Sequence, residues 1–129
     1  MKQKEIKVLM VEPLKEPKTV TLKTDLDSLQ KAVSIGADYQ GLIEIITIDD
    51  GVCILCNEEG KLMGLEGNRS VGNDIIAGVF YVVGENNDGE LISLTEGQMQ
   101  TYKERFRNPE HYSKKVIENK IYAVFCDFC

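Results

Sequence analysis

The chain is poor in several things that usually announce a function. It has one histidine, three prolines and no tryptophan in 129 residues, and fewer basic side chains than acidic ones, fifteen against twenty-one. A Cys–His nucleophile pair needs a thiol beside an imidazole, and nothing in the sequence brings His111, alone in a polar segment after Pro109, to a cysteine. The formal net charge of −6 repels phosphate backbones, so direct nucleic-acid binding is not expected. An acidic surface suits a protein partner instead, including one whose own surface is basic. No apolar run approaches the ~20 residues of a membrane-spanning helix, and Met1 to Glu5 lacks the apolar run of a signal peptide. A cytoplasmic protein with no membrane partner is expected, its cysteines reduced unless they hold a metal. Gly64-Leu65-Glu66-Gly67-Asn68 is no phosphate loop, because the Lys-Ser/Thr ending of that motif is missing.

What is present is a globular composition, 43% hydrophobic, in a chain of single-domain length over 1–129. The organising stretch is Leu42 to Gly60. Leu42-Ile43-Glu44-Ile45-Ile46-Thr47-Ile48 is rich in β-branched residues. Asp49-Asp50-Gly51 is turn chemistry, and Val52-Cys53-Ile54-Leu55-Cys56 is apolar again. Two such runs, interrupted only by Glu44 and Thr47, predict a hairpin of central strands covered on both faces.

Around it, Ile6 to Val11 predicts a first strand. Thr19 to Lys23 predicts a second, antiparallel to it, with Val20 and Leu22 inward. Pro13 and Pro17 bracket the loop between them. Thr24 is placed to cap a helix whose buried stripe is Leu26, Leu29 and Val33 with Ala32 beside it, stopping at Gly36. After Cys56, Asn57 to Gly60 reads as a turn, Lys61 to Leu65 as a short strand, and Glu66 to Asn73 as a loop. Ile75 to Val83 reads as one strand in which Gly78 marks a bulge or a close approach. Asn86 to Gly89 turns into a short strand at Leu91 to Leu94. Thr95 and Gln98 form a capping box for a second helix with Met99, Tyr102 and Phe106 inward, ended by Asn108-Pro109. Ile121 to Cys126 predicts a last strand. The fold expected is α+β, a mainly antiparallel twisted sheet of about five to seven strands carrying two helices.

The order of these pieces is familiar. Val11-Glu12-Pro13, Leu29-Gln30-Lys31-Ala32-Val33, Gly41-Leu42-Ile43-Glu44, Asn57-Glu58-Glu59-Gly60-Lys61-Leu62, Asn68-Arg69, Asp74-Ile75-Ile76-Ala77-Gly78 and Ser93-Leu94-Thr95 together resemble the domain-of-unknown-function family 3846. The resemblance covers residues 6–106 and leaves a C-terminal extension, 107–129. Gly67 departs from it, since a proline is expected before the Asn-Arg pair, and so does the cysteine-bearing end. The resemblance implies a home on plasmids, conjugative elements or phages of Gram-positive bacteria. It implies no activity, ligand or catalytic residue.

Two candidate sites stand out. Cys53 and Cys56, with Cys126 and Cys129, form two C-x-x-C pairs that could make a tetrahedral zinc site in a structural module. Residues i and i+3 on a flat strand point to opposite faces, however, so small buried hydrophobes are the stronger reading and no cofactor is expected. The second candidate is a set of loops holding Asn57, Glu58, Asn68, Arg69 and Asp74. There the planar fork of Arg69 suits an anion such as a signalling nucleotide. The plainer reading pairs Arg69 with Asp74 or Glu59. With no catalytic set in view, the function expected is a non-enzymatic, protein-binding accessory of a mobile element. The alternatives are the anion binder and the zinc module.

Overall fold

The computed structural model describes residues 4–113 and 116–117. Within them the sequence forms strands β1 (Glu5–Val11), β2 (Lys18–Lys23), β3 (Ile43–Asp49), β4 (Val52–Asn57), β5 (Gly67–Val71), β6 (Asp74–Ala77), β7 (Phe80–Glu85) and β8 (Leu91–Ile92). The helices are α1 (Leu26–Val33) and α2 (Glu96–Arg105). The α+β class and the mainly antiparallel sheet are as expected. The predicted strand at Ile121 to Cys126 lies outside the described residues.

The main sheet runs β2-β1-β7-β4-β3, every neighbour antiparallel, with β8 paired to the end of β7. A second sheet holds, among the described residues, β5 and β6. Side-chain alternation sorts the core into two layers. On one face Ile6, Val8 and Met10 of β1 meet Cys53, Leu55, Tyr81 and Val83, and Leu29 and Val33 of α1 cover them. On the other face Leu9, Val11, Ile54, Cys56, Phe80 and Val82 are covered by Tyr102 and Phe106 of the α2 end and by Ile76 of β6. The hairpin turn is where the sequence puts it, with Gly51 at φ +74. All six residues of β4 are buried, as a central strand requires.

Six expectations need correction. β3 is not central: among the described residues it pairs with β4 alone and ends the sheet, leaving Ile45 54% exposed. The cap of α1 is Asp25, whose carboxylate accepts from the Ser28 N–H at 3.0 Å, rather than Thr24. Leu26 is accordingly the first helical residue and is exposed rather than part of the buried stripe. Lys61 to Leu65 forms turns, not a strand, while the expected loop from Glu66 to Asn73 contains β5. Ile75 to Val83 is two strands. Gly78, at φ +87, turns the chain from the small sheet into the large one, and a Cβ there would meet Leu65 Cδ1 at 2.8 Å.

The second helix starts as its sequence dictates. The Thr95 hydroxyl accepts from the Gln98 N–H, and the Gln98 amide oxygen accepts from the Thr95 N–H. Its far end is seated by an edge-to-face contact between Phe80 and Phe106, centroids 5.2 Å apart, and by the Tyr102 hydroxyl donating to Asp49 at 3.1 Å.

Candidate functional site

The five loop residues singled out from the sequence separate into two groups. Asn68 and Arg69 are not in a loop. They lie on β5 and are wholly buried. Asn68 Nδ2 donates to the Val11 and Gly78 carbonyls, both at 2.8 Å. Its Oδ1 accepts from Arg69 Nη1 at 2.9 Å. Arg69 Nε and Nη2 donate to the Phe106 carbonyl at 3.2 and 2.9 Å, and Nη2 also donates to the Lys15 carbonyl at 2.7 Å. Neither Asp74 nor Glu59 is its partner. Burial pulls the Arg69 pKa down, opposed by the nearby Glu110 carboxylate and by Tyr112. The guanidinium stays charged at neutral pH all the same. The pair is a polar clasp that ties β5 to the end of β1, the loop at Lys15, the corner at Gly78 and the C-terminal end of α2. A cation there also meets the negative end of the helix dipole.

The other three residues meet in a crevice of about 240 Å³. One wall is the layer of β3 and β4 that faces the small sheet, with Glu44, Ile46, Cys56 and Asn57. The opposite wall is β6, Asp74 to Ala77, and the turn after β4 closes one end with Glu58, Lys61 and Leu62. Glu44, Lys61 and Leu62 were missed in the sequence. A charge interrupting an apolar strand, as Glu44 does, is the one signal that could have pointed there.

Local chemistry builds this shape. Asn57 Oδ1 accepts from the Glu59 N–H at 2.9 Å, and its amide donates to Met63 Sδ at 3.4 Å, so Asn57 braces the turn. Gly60 lets that turn press onto β6, since a Cβ would lie 2.4 Å from the Ala77 carbonyl oxygen. Lys61 forms a short ion pair with Asp74, whose carboxylate also accepts from the Ile75 N–H at 2.8 Å. Glu44 and Glu58 have no ion pair among the described residues. Three carboxylates and one lysine around an apolar floor make the crevice a place for positive charge, not for an anion. They do not converge as metal ligands: among the described residues no group of three or more His, Cys, Asp or Glu could hold an ion.

The described cysteines divide as the strand geometry requires. Cys53 packs in the layer under α1 and Cys56 in the layer facing the small sheet, so one ion cannot take both thiolates. Cys126 and Cys129 lie outside the described residues. Burial, with Glu85 adding to it, pushes the Cys53 thiol up to about 11. Burial pushes Cys56 up to about 12, helped by Glu44, whose carboxylate accepts from the thiol at 3.7 Å. Both are protonated and poorly nucleophilic at neutral pH. His111 is exposed and does not line the crevice.

A reactivity test follows. Iodoacetamide at pH 8, read by peptide mapping so that each cysteine is scored separately, should leave Cys53 and Cys56 unmodified in native protein and label both in denaturant. Native labelling of Cys56 at the rate of a free thiol would contradict the packing. The same shifts set an alkaline limit. Folding holds these thiols neutral, so the stability they contribute is complete below their ordinary value of 9.0 and is lost as pH rises towards about 11 for Cys53 and about 12 for Cys56.

A family model described as a domain of unknown function (DUF3846) matches residues 6–107. Comparison with curated proteins and with solved structures gives no match. Among the described residues no helix is long and apolar enough to cross a membrane.

Proposed function

The chain belongs to the DUF3846 family, and from that premise we propose that it is a non-enzymatic accessory protein of a Gram-positive mobile element, acting in the cytoplasm by binding another protein. The observation that carries this reading is the crevice between β3–β4 and β6. It has an apolar floor, a surplus of carboxylates, and two of them, Glu44 and Glu58, without a cation from the described chain. The net charge of −6 supports a partner that is basic at its contact surface and disfavours direct binding to nucleic acid. Holding Cys53 and Cys56 protonated supports a role without thiol chemistry.

Affinity capture from a Gram-positive host lysate tests it, with wild type beside Glu44→Lys/Glu58→Lys. The wild type should retain a specific protein at about 0.1 M salt and lose most of it near 0.5 M, because contacts between exposed charges are screened. The double variant should retain little at either salt. Equal capture by both proteins would refute the crevice as the binding site.

A small ligand is the second reading. The crevice volume of about 240 Å³ favours it, with a cationic rather than anionic head. Thermal-shift screening against amines and nucleotides would separate the two classes.

A further inference from the structure

Among the described residues β3 closes the main sheet on one side and hydrogen-bonds to β4 alone. No other described backbone group bonds to the main chain of residues 43–49, so the N–H and C=O groups of the far edge form a template for another strand. Natural edges are blunted by charged side chains, prolines or bulges. Between Ile43 and Thr47 there is no proline or bulge, the one charge is Glu44, which an opposite charge on an added strand would meet, and the register shifts only between Thr47 and Asp49.

The two faces of this strand offer different chemistry. Glu44 and Ile46, opposite Cys56 and Ile54, lie on the crevice side. Ile45, opposite Leu55, lies on the α1 side and is 54% exposed. Leu42 just before the strand and Leu62 on the crevice turn are also exposed. An added strand would therefore set alternate side chains against carboxylates on one face and against an aliphatic surface on the other.

We propose that β3 binds an extended segment of a partner protein as an added strand, with Lys or Arg at alternate positions pointing into the crevice and apolar residues between them covering Ile45. The proposal rests on the crevice reading above and specifies how the partner is held. Main-chain hydrogen bonds supply affinity, and the side chains supply choice. A second copy of this chain is the poorer occupant. Its own β3 would bring Glu44 and Asp49 against carboxylates of the same sign, in a protein of net charge −6. A metal ion is also the poorer occupant, since the carboxylates do not converge on a point.

The test uses a fluorescein-labelled nonapeptide of alternating Val and Lys. The controls are an alternating Val/Glu peptide and a Val/Lys peptide N-methylated at every second residue. Anisotropy measures affinity, and hydrogen exchange locates binding. The Val/Lys peptide should bind at least about tenfold tighter than either control. It should slow exchange in residues 43–49 and lose about tenfold on Glu44→Lys/Glu58→Lys protein. Equal binding of the N-methylated peptide would overturn strand addition, as would protection appearing elsewhere. If lysate capture depends on Glu44 and Glu58 while the Val/Lys peptide fails, the docking mode is wrong and the crevice reading survives. If capture ignores both carboxylates, the crevice reading itself falls.

Discussion

Replacing Arg69 by methionine should destabilise the protein by about 3 kcal/mol and lower its melting temperature by roughly 10 °C. Two effects oppose each other. Removing a buried guanidinium recovers its desolvation cost, which is why a well-packed apolar replacement can be harmless. Here the replacement also strands the acceptors that the guanidinium serves: the Phe106 carbonyl, the Asn68 amide oxygen and the part-buried Lys15 carbonyl. A buried acceptor left without a donor costs ~1–3 kcal/mol, and methionine offers none. Asn68 loses its restraint at the same time, although it holds the Val11 and Gly78 carbonyls. The stranded acceptors win. Arg69→Lys keeps the charge but cannot span carbonyls contributed by residues 15 and 106 with one ammonium, so about half the loss should remain. Urea melts with matched thermal scans would check both, and a shift below about 2 °C for Arg69→Met would contradict the clasp.

The second large effect is at Gly60. Alanine there places a methyl group 2.4 Å from the Ala77 carbonyl oxygen and 3.3 Å from its carbon. The clash is with backbone, so no rotamer relieves it. The turn after β4 must move away from β6, at about 2–3 kcal/mol. It moves the wall that carries Glu58, Lys61 and Leu62, so partner binding should fall with stability. Gly97→Ala is the control. Its Cβ would meet only the Thr95 hydroxyl, at 3.9 Å, in the first turn of α2. Helical alanine in place of glycine should leave stability unchanged or raise it by up to ~1 kcal/mol. Denaturant midpoints of the two variants should therefore move apart, and a Gly60→Ala protein as stable as wild type would refute the tight seam.

Local rules carried much of the fold. The Asp49–Gly51 turn, the Thr95–Gln98 capping box and the β1–β2 register, in which Val8 faces Val20 and Ile6 faces Leu22, depend on neighbours in sequence or on one alternation pattern. Sheet order does not. Apolar content alone could not tell that β4 lies between β3 and β7 while β3 has no outer neighbour among the described residues. Asn68 and Arg69 look like loop residues because the acceptors that satisfy them come from residues 11, 15, 78 and 106. The crevice was half legible: Asn57, Glu58 and Asp74 were visible as a cluster, but Glu44 and Lys61 join them only through the packing of β6 against β3 and β4. A Cβ at Gly67 would lie 3.0 Å from Tyr112 Cβ and 3.1 Å from Ile117 Cδ1, so the glycine makes room for the start of the C-terminal extension.

Photo-crosslinking would locate the binding surface most directly. Benzoyl-phenylalanine would be placed at Leu62, on the crevice turn, and in a second protein at Lys103, half-buried on α2 and outside the crevice lining. Irradiated in host lysate, the Leu62 position should give one dominant adduct that disappears in the Glu44→Lys/Glu58→Lys background, and the Lys103 position should give none. Adducts from Lys103 alone, or a Leu62 adduct indifferent to both charge reversals, would place the partner elsewhere on the molecule.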